Sequence, residues 1–201
     1  MLNVSIEPQR LPVMEDAQLV VRTARLTLRP MHEDDIKPVA ALATFAIARN
    51  LSRMPWPYDE NHARNWLDLQ ARERASGEAC VFAVTGTSGF MGAIGLHVRN
   101  DAEVELGYWL GEPFWNKGYA TEAARRISAL AFGEWGLARL VSGHFADNHA
   151  SGKVLGKTGF VYTHEEPQMS LARGVKVRCL KMRLTSARFD AREREGREAV
   201  T

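Results

Sequence analysis

Two cysteines among 201 residues, Cys80 and Cys179, are too few for a disulfide framework, and neither stands in a CxxC or Cys/His spacing that would suggest a metal site. Each lies in an apolar run, where free thiols are usually buried. Long hydrophobic runs are also missing. No stretch approaches the roughly 20 apolar residues of a bilayer span, and the start MLNVSIEPQRLPVMED has neither a basic leader nor an apolar block. A cytoplasmic, reducing setting without a membrane partner is the expectation. Runs of one charge sign are absent as well: 26 basic residues are interspersed with 24 acidic ones, which argues against nucleic acid as the main ligand. Nor does the chain carry the Walker pattern, with GK[ST] after four spacers, or the dinucleotide pattern GxGxxG.

What is present describes one globular domain. Apolar residues make up 45% and charged residues 25%, and the length suits a single hydrophobic core. Residues 1–20, with two prolines and no periodicity, read as an N-terminal extension. The domain spans 21–185, and residues 186–201 form a charged tail with Asp190/Arg194 and Glu193/Arg197 at helical spacing.

Within the domain, RLTLRP (25–30) alternates as a strand closed by its proline. EDDIKPVAALATFAIARN predicts one helix through Ile36, Val39, Ala40, Ala43 and Ile47, with Pro38 in its first turn. After the Pro-rich stretch RMPWPYDE, a second helix is capped by Asp59 and carries Ala63, Trp66, Leu67 and Leu69 or Gln70. ACVFAVTG and FMGAIGLHVR form a hairpin across TSG. In DAEVELGYWLGE (101–112), Val104, Leu106, Tyr108 and Leu110 face one way, and Glu103, Glu105, Gly107 and Trp109 the other.

A long helix follows, ended by Gly136. Then come the strand RLVSGHF, a short helix capped by Asp147 or Asn148 and stopped by Gly159, and two strands, FVYTHEE and VKVRCLKMRL, joined by a loop around Pro167. The parity of the last changes near Cys179, which predicts a bulge or a change of exposure. The order β-α-α-β-β-β-α-β-α-β-β gives an α/β domain with a mixed sheet, one connection being a parallel crossover.

PFWNKGYATEAARR (113–126) places Gly118 where a strand hands over to a helix. This is either a plain turn or a seat for a phosphate, which would need convergent backbone N–H groups, no Cβ and a helix N-terminus. The surroundings bear on the choice. EVELGYWLGEPFWNKGYATEA resembles the coenzyme A segment of the GNAT acetyltransferase superfamily, in its RimJ/RimL-like branch of N-terminal acetyltransferases. RLTLRPMHEDD, PWPYDENHARNWL and DNHASGKVLGKTGF agree with that branch in order and spacing, so the resemblance covers about residues 22–185. Trp115 stands where the broader family has Gln or Arg; an aromatic residue there is common in this branch.

The resemblance implies a GNAT-like fold, with a largely antiparallel sheet, splayed fourth and fifth strands and helices on both faces. It also implies acetyl-CoA as donor and no metal. The N–H groups of Asn116, Lys117, Gly118, Tyr119, Ala120 and Thr121 would hold the pyrophosphate, and the backbone of Tyr108, Trp109 and Leu110 the pantetheine arm. Asn148 would bind that arm too, or serve only as a helix cap. Ser151 would donate to the departing thiolate; Tyr162 is too far along the chain to take that place. Glu105 is the first candidate base and Glu103 the second, against the alternative that both are surface carboxylates. Trp56 and Tyr58 would line the acceptor side, or simply pack between the early helices. His97 and His144 read as core or cleft residues rather than catalysts. The acceptor would be an amine, on a peptide N-terminus or a small molecule, and a homodimer is an arrangement many relatives adopt. A catalytically silent CoA-binding module is the competing class.

Overall fold

A computed structural model describes residues 10–99 and 103–198. Residues 1–9 of the expected extension, 199–201 of the expected tail, and Asp101 and Ala102 of the expected fourth strand lie outside the described residues. Eight strands form one sheet: β1 (Val21–Arg22), β2 (Thr27–Pro30), β3 (Ala79–Gly86), β4 (Gly89–Val98), β5 (Val104–Leu110), β6 (Arg139–Phe145), β7 (Val161–Ser170) and β8 (Val175–Thr185). Their order is β1-β2-β3-β4-β5-β6-β8-β7. Every neighbouring pair is antiparallel except β5 and β6. Since the two-residue β1 adds one to the count, the expected fourth and fifth strands are β5 and β6.

The helices are α1 (Ile36–Leu42), α2 (Phe45–Ala48), α3 (Glu60–Ala75), α4 (Tyr119–Ala129), α5 (His149–Thr158) and α6 (Ser186–Glu198), with α4 prolonged by a π-helical turn over Leu130–Glu134. Strand alternation sorts the core into two layers. Cys80, Phe82 and Val84 of β3 join Leu106 and Leu110 of β5 in the layer beneath α4, α5 and α6. Val81 and Trp109 point the other way, onto Ile36, Val39, Ala63 and Leu67 of α1 and α3. Helices therefore cover both faces, as expected.

Two expectations need revision, and two alternatives left open are resolved. The single helix over 33–50 is two helices: Thr44 adopts an extended backbone and its hydroxyl donates to Glu112 Oε1 at 2.6 Å, so a tertiary hydrogen bond overrides local periodicity. The loop around Pro167 is instead the middle of β7, where Pro167 pairs with Arg178; β7 is the sheet's last strand, so a residue without an N–H is tolerated there. The irregularity foreseen near Cys179 is a register shift between Tyr162 and His164 on the neighbouring β7, with only a change of exposure along β8. In α3 the inward residue is Gln70, while Leu69 is exposed.

The caps follow the sequence. Asp59 accepts from the His62 N–H at 2.9 Å, and Asn148, not Asp147, caps α5 by accepting from the Ser151 N–H at 3.2 Å. Outside the expected domain limits, Leu11 and Leu19 are buried at one end of the chain and Phe189 of α6 at the other.

Candidate active site

β5 and β6 share one register pair, Glu105 opposite Val141. One residue further, the Leu106 carbonyl accepts from the Ser142 hydroxyl at 2.8 Å. Beyond this side-chain rivet the strands part, leaving the β6-facing edge of β5 without a strand partner. A cavity of about 600 Å³ occupies the gap. Its walls are residues 105–110 of β5, residues 142–145 of β6, and the first turns of α4 and α5.

At the β5 C-terminal end the wall is the turn leading into α4. Asn116 and Gly118 both hold left-handed backbones, φ +59° and +82°, a combination that folds successive N–H groups into a concave nest. Gly118 is the N-cap of α4 with no side-chain cap bond, so no capping side chain blocks the positive end of the helix dipole. The turn is braced from outside. Arg25 donates through Nη1 to the Lys117 carbonyl at 2.9 Å and through Nε to Glu122 at 2.7 Å, and its guanidinium lies 4.5 Å from the centre of the Tyr119 ring. Burial alone would raise the Glu122 carboxyl; hydrogen bonds from Thr23 and Arg25 more than offset it and hold it below its usual range. Trp115 Nε1 donates to the Leu110 carbonyl at 2.7 Å, tying the turn to the end of β5.

Where β5 begins, Glu105 stands across from His97 of β4 and is ion-paired with Arg99 Nε. Burial, with Arg99 and Arg53 adding to it and Glu105 opposing, pushes His97 down to about 4. His97 is thus neutral at pH 7, and one ring nitrogen keeps a lone pair. Burial together with the Arg99 charge likewise lowers Arg53.

Midway along the cavity, Tyr108 Oη and Ser151 Oγ are 2.7 Å apart, both lining the space. Beside them, His144 Nδ1 lies 2.9 Å from its neighbour's carbonyl, Phe145 O, so Nδ1 carries the proton and Nε2 accepts from Tyr162 Oη at 3.0 Å. Gly152 is required there: a Cβ would meet His144 Nε2 at 2.7 Å and Tyr162 Oη at 2.8 Å.

Of the sequence candidates, Glu105, Tyr108, Trp109, Leu110, Asn116, Gly118, Tyr119, Ala120, Thr121, Asn148 and Ser151 all line this one cavity. Lys117, Glu103, Trp56 and Tyr58 do not. Lys117 is exposed, with its carbonyl engaged by Arg25. Glu103 precedes β5, its carbonyl accepting from the Arg99 N–H at 2.7 Å. Trp56 is exposed and tilted against Phe45. Tyr58 stacks on His62 in the layer beneath α1 and α3, and burial there raises its phenol to about 12. The side chains of Arg25, Arg99, Ser142 and Tyr108 escaped the sequence reading. Arg25 lies 92 residues from its carbonyl partner, and no local spacing announces such a contact. Among the described residues, no group of three or more His, Cys, Asp or Glu is placed to hold a metal ion.

Comparisons with known proteins agree with this geometry. The family model described as "Acetyltransferase (GNAT) domain" matches residues 25–161. An uncharacterized N-acetyltransferase of Bacillus subtilis, YoaA, is 33% identical over 76 residues, which cover 37% of this chain and 43% of YoaA. The matched part of this chain thus spans less than half of that relative. Two solved structures share the fold at low identity. RimL, described as a ribosomal L7/L12 alpha-N-protein acetyltransferase in complex with coenzyme A, superposes with TM-score 0.71 and 16% identity over 88% of this chain and 98% of RimL. The microcin C7 self-immunity acetyltransferase MccE, in complex with acetyl-CoA and AMP, gives TM-score 0.72 and 15% identity over 81% and 93%. With the family match running from just before β2 to the first residue of β7, over both strands of the splay and the turn into α4, the chain belongs to the GNAT acetyltransferases.

Proposed function

We propose that this protein is an acetyl-CoA-dependent N-acetyltransferase that transfers an acetyl group directly to a primary amine, with a protein or peptide N-terminus as acceptor. The observation that carries the reading is the cavity between β5 and β6, which ends at an uncapped helix N-terminus approached by two left-handed residues. An anion fits the nest, and an extended amide chain fits the partnerless strand edge, as a further strand would. Acetyl-CoA would supply an activated thioester carbonyl and a thiolate leaving group.

In this reading, the N–H groups from Asn116 to Thr121 seat the pyrophosphate. Arg25, from outside, keeps the turn in its left-handed form. The strand edge of Tyr108 to Leu110 orients the pantetheine and offers an N–H to the thioester oxygen, where charge develops. Asn148 fixes the first turn of α5 and with it Ser151, whose hydroxyl faces the sulfur. Glu105, ion-paired with Arg99, receives the proton of the incoming ammonium, directly or through water. The name of RimL supports a protein N-terminus as acceptor. A small amine is the second reading, favoured by the way the β7–β8 hairpin is fastened over this side of the site: Leu171 N–H donates to the Ser52 carbonyl at 3.2 Å and Arg173 Nε to the Arg49 carbonyl at 2.7 Å.

Calorimetry with acetyl-CoA, followed by a CoA-release screen over peptides of varied first residue and a panel of small amines, tests both parts. Gly118→Asp keeps a residue tolerated in left-handed geometry but sets a Cβ 3.3 Å from Arg25 Nη2 and brings a negative charge to the head of α4, disturbing the brace and opposing an anion there, and is expected to weaken acetyl-CoA binding by roughly tenfold or more. Equal binding by the variant would remove the pyrophosphate assignment. Binding without turnover on any acceptor would favour the silent module.

A further inference from the structure

The Tyr108 side chain has a place in this cavity that the strand-edge role of its backbone does not explain. Its hydroxyl meets α5 at Ser151: Oη is 2.7 Å from Ser151 Oγ and 3.4 Å from the Ser151 carbonyl. The ring leans on the core layer beneath α4 to α6, and β5 is held on its other side by full antiparallel pairing with β4, Tyr108 standing opposite Ile94. Ser151 is anchored independently, through its N–H to Asn148 Oδ1. Two rigid elements thus bring the hydroxyls together across the splay.

A serine hydroxyl carries one proton and rotates freely, so an unpartnered serine points its proton wherever the strongest acceptor lies. A phenol is the better donor of the two. With Tyr108 donating to Ser151 Oγ, the serine lone pairs on that side are occupied and its own proton is left for the cavity. Burial raises the Tyr108 phenol well above its ordinary value, only partly opposed by the bond to Ser151. Tyr108 therefore remains a donor throughout the pH range in which an amine can be acetylated.

We infer that Tyr108 is a positioning residue: its hydroxyl, donating to Ser151 Oγ, aims the Ser151 proton at the sulfur of bound coenzyme A and strengthens that hydrogen bond. The inference rests on the cofactor reading above. When the C–S bond of the thioester breaks, the bonding electron pair passes to sulfur, the Ser151 O–H stabilises the resulting thiolate, and CoA takes its proton from water after release. Neither Tyr108 nor Ser151 has to lose a proton, so the pair returns unchanged.

The test reads coenzyme A itself and needs no acceptor. The thiol of CoA bound to the protein is titrated by its thiolate ultraviolet absorbance, in the wild-type chain, Tyr108→Phe, Ser151→Ala and the double variant. The wild-type complex is expected to show a thiol pKa below that of free CoA by roughly one unit, the effect of one good hydrogen bond to the anion. Tyr108→Phe keeps the ring and its packing but moves the value back towards free CoA, as does Ser151→Ala, and the double variant goes no further than Ser151→Ala alone, because Tyr108 acts through Ser151. CoA bound with an unchanged thiol pKa in Tyr108→Phe, or shifts that add in the double variant, would overturn the inference while leaving the cofactor reading intact. No CoA binding by the wild-type chain would overturn both.

Discussion

His97 shows how one buried side chain ties stability to pH. Its ring is held neutral between β4 and the cavity, with burial as the main cause and Arg99 and Arg53 adding to it, so its folded value is about 4 against an ordinary 6.5. As pH falls through 6.5 the unfolded chain binds a proton that the folded chain does not, which favours unfolding. The contribution of His97 is complete above about 6.5 and is lost progressively down to about 4. Urea denaturation at pH 7 and pH 5 is expected to show about 1–2 kcal/mol less stability at the lower pH from this group, and His97→Gln should remove that difference. An identical pH slope in the variant would mean that other groups set it. The sequence placed His97 in a strand as a core or cleft residue; what it did not reveal was the company of Arg53, Arg99 and Glu105, which meet only once β4 and β5 are paired and the segment between α2 and α3 has folded against them.

At the scale of elements, the β7–β8 hairpin is the piece whose role was least visible. Asp147, at the foot of α5, accepts from Arg173 at 2.8 and 3.1 Å and from Arg49 at 3.0 Å, and the Arg173 guanidinium lies 5.1 Å from the centre of the Phe145 ring. The Arg173 hydrogen bonds are the leading cause of an Asp147 carboxyl held below its usual range. Hairpin, α2 and the β6–α5 turn are thereby fastened around one carboxylate. Arg173→Ala should free the hairpin, raising amide hydrogen exchange at residues 171–174 and changing the acceptor KM at little cost to global stability, about 1 kcal/mol for partly exposed ion pairs. Arg173→Lys should restore little, since a single ammonium cannot make the forked contact. Exchange rates unchanged in Arg173→Ala would show that the strand ladder alone holds the hairpin. The helix break at Thr44 has the same origin as the hairpin clasp: a partner far along the chain, Glu112, outweighs the local pattern.

At the scale of the whole molecule, described residues on either side of the 21–185 bracket, Leu11, Leu19 and Phe189, are part of the same core. Phe189 of α6 is 5% exposed and its ring centre lies 5.5 Å from that of Phe132 in the π-turn after α4; Arg188 Nε donates to the Gly159 carbonyl at 2.8 Å. Phe189→Ala should therefore destabilise the fold by about 3–5 kcal/mol, measured by thermal or urea unfolding. A loss below about 1 kcal/mol would show that α6 is an ornament on a self-sufficient domain. The charged spacing of this segment was legible, but a single apolar residue among many ions gives no period by which burial can be read. By itself the sequence determined the alternation of β5, the cap at Asp59 and the one at Asp147 or Asn148, the glycine at the head of α4 and the family they belong to, because each is written in contiguous residues obeying local backbone and capping rules. Only the tertiary structure decided which hydroxyls face each other across the splay, which arginine braces the turn and which carboxylate fastens the hairpin, because those contacts join residues dozens of positions apart that no local periodicity relates.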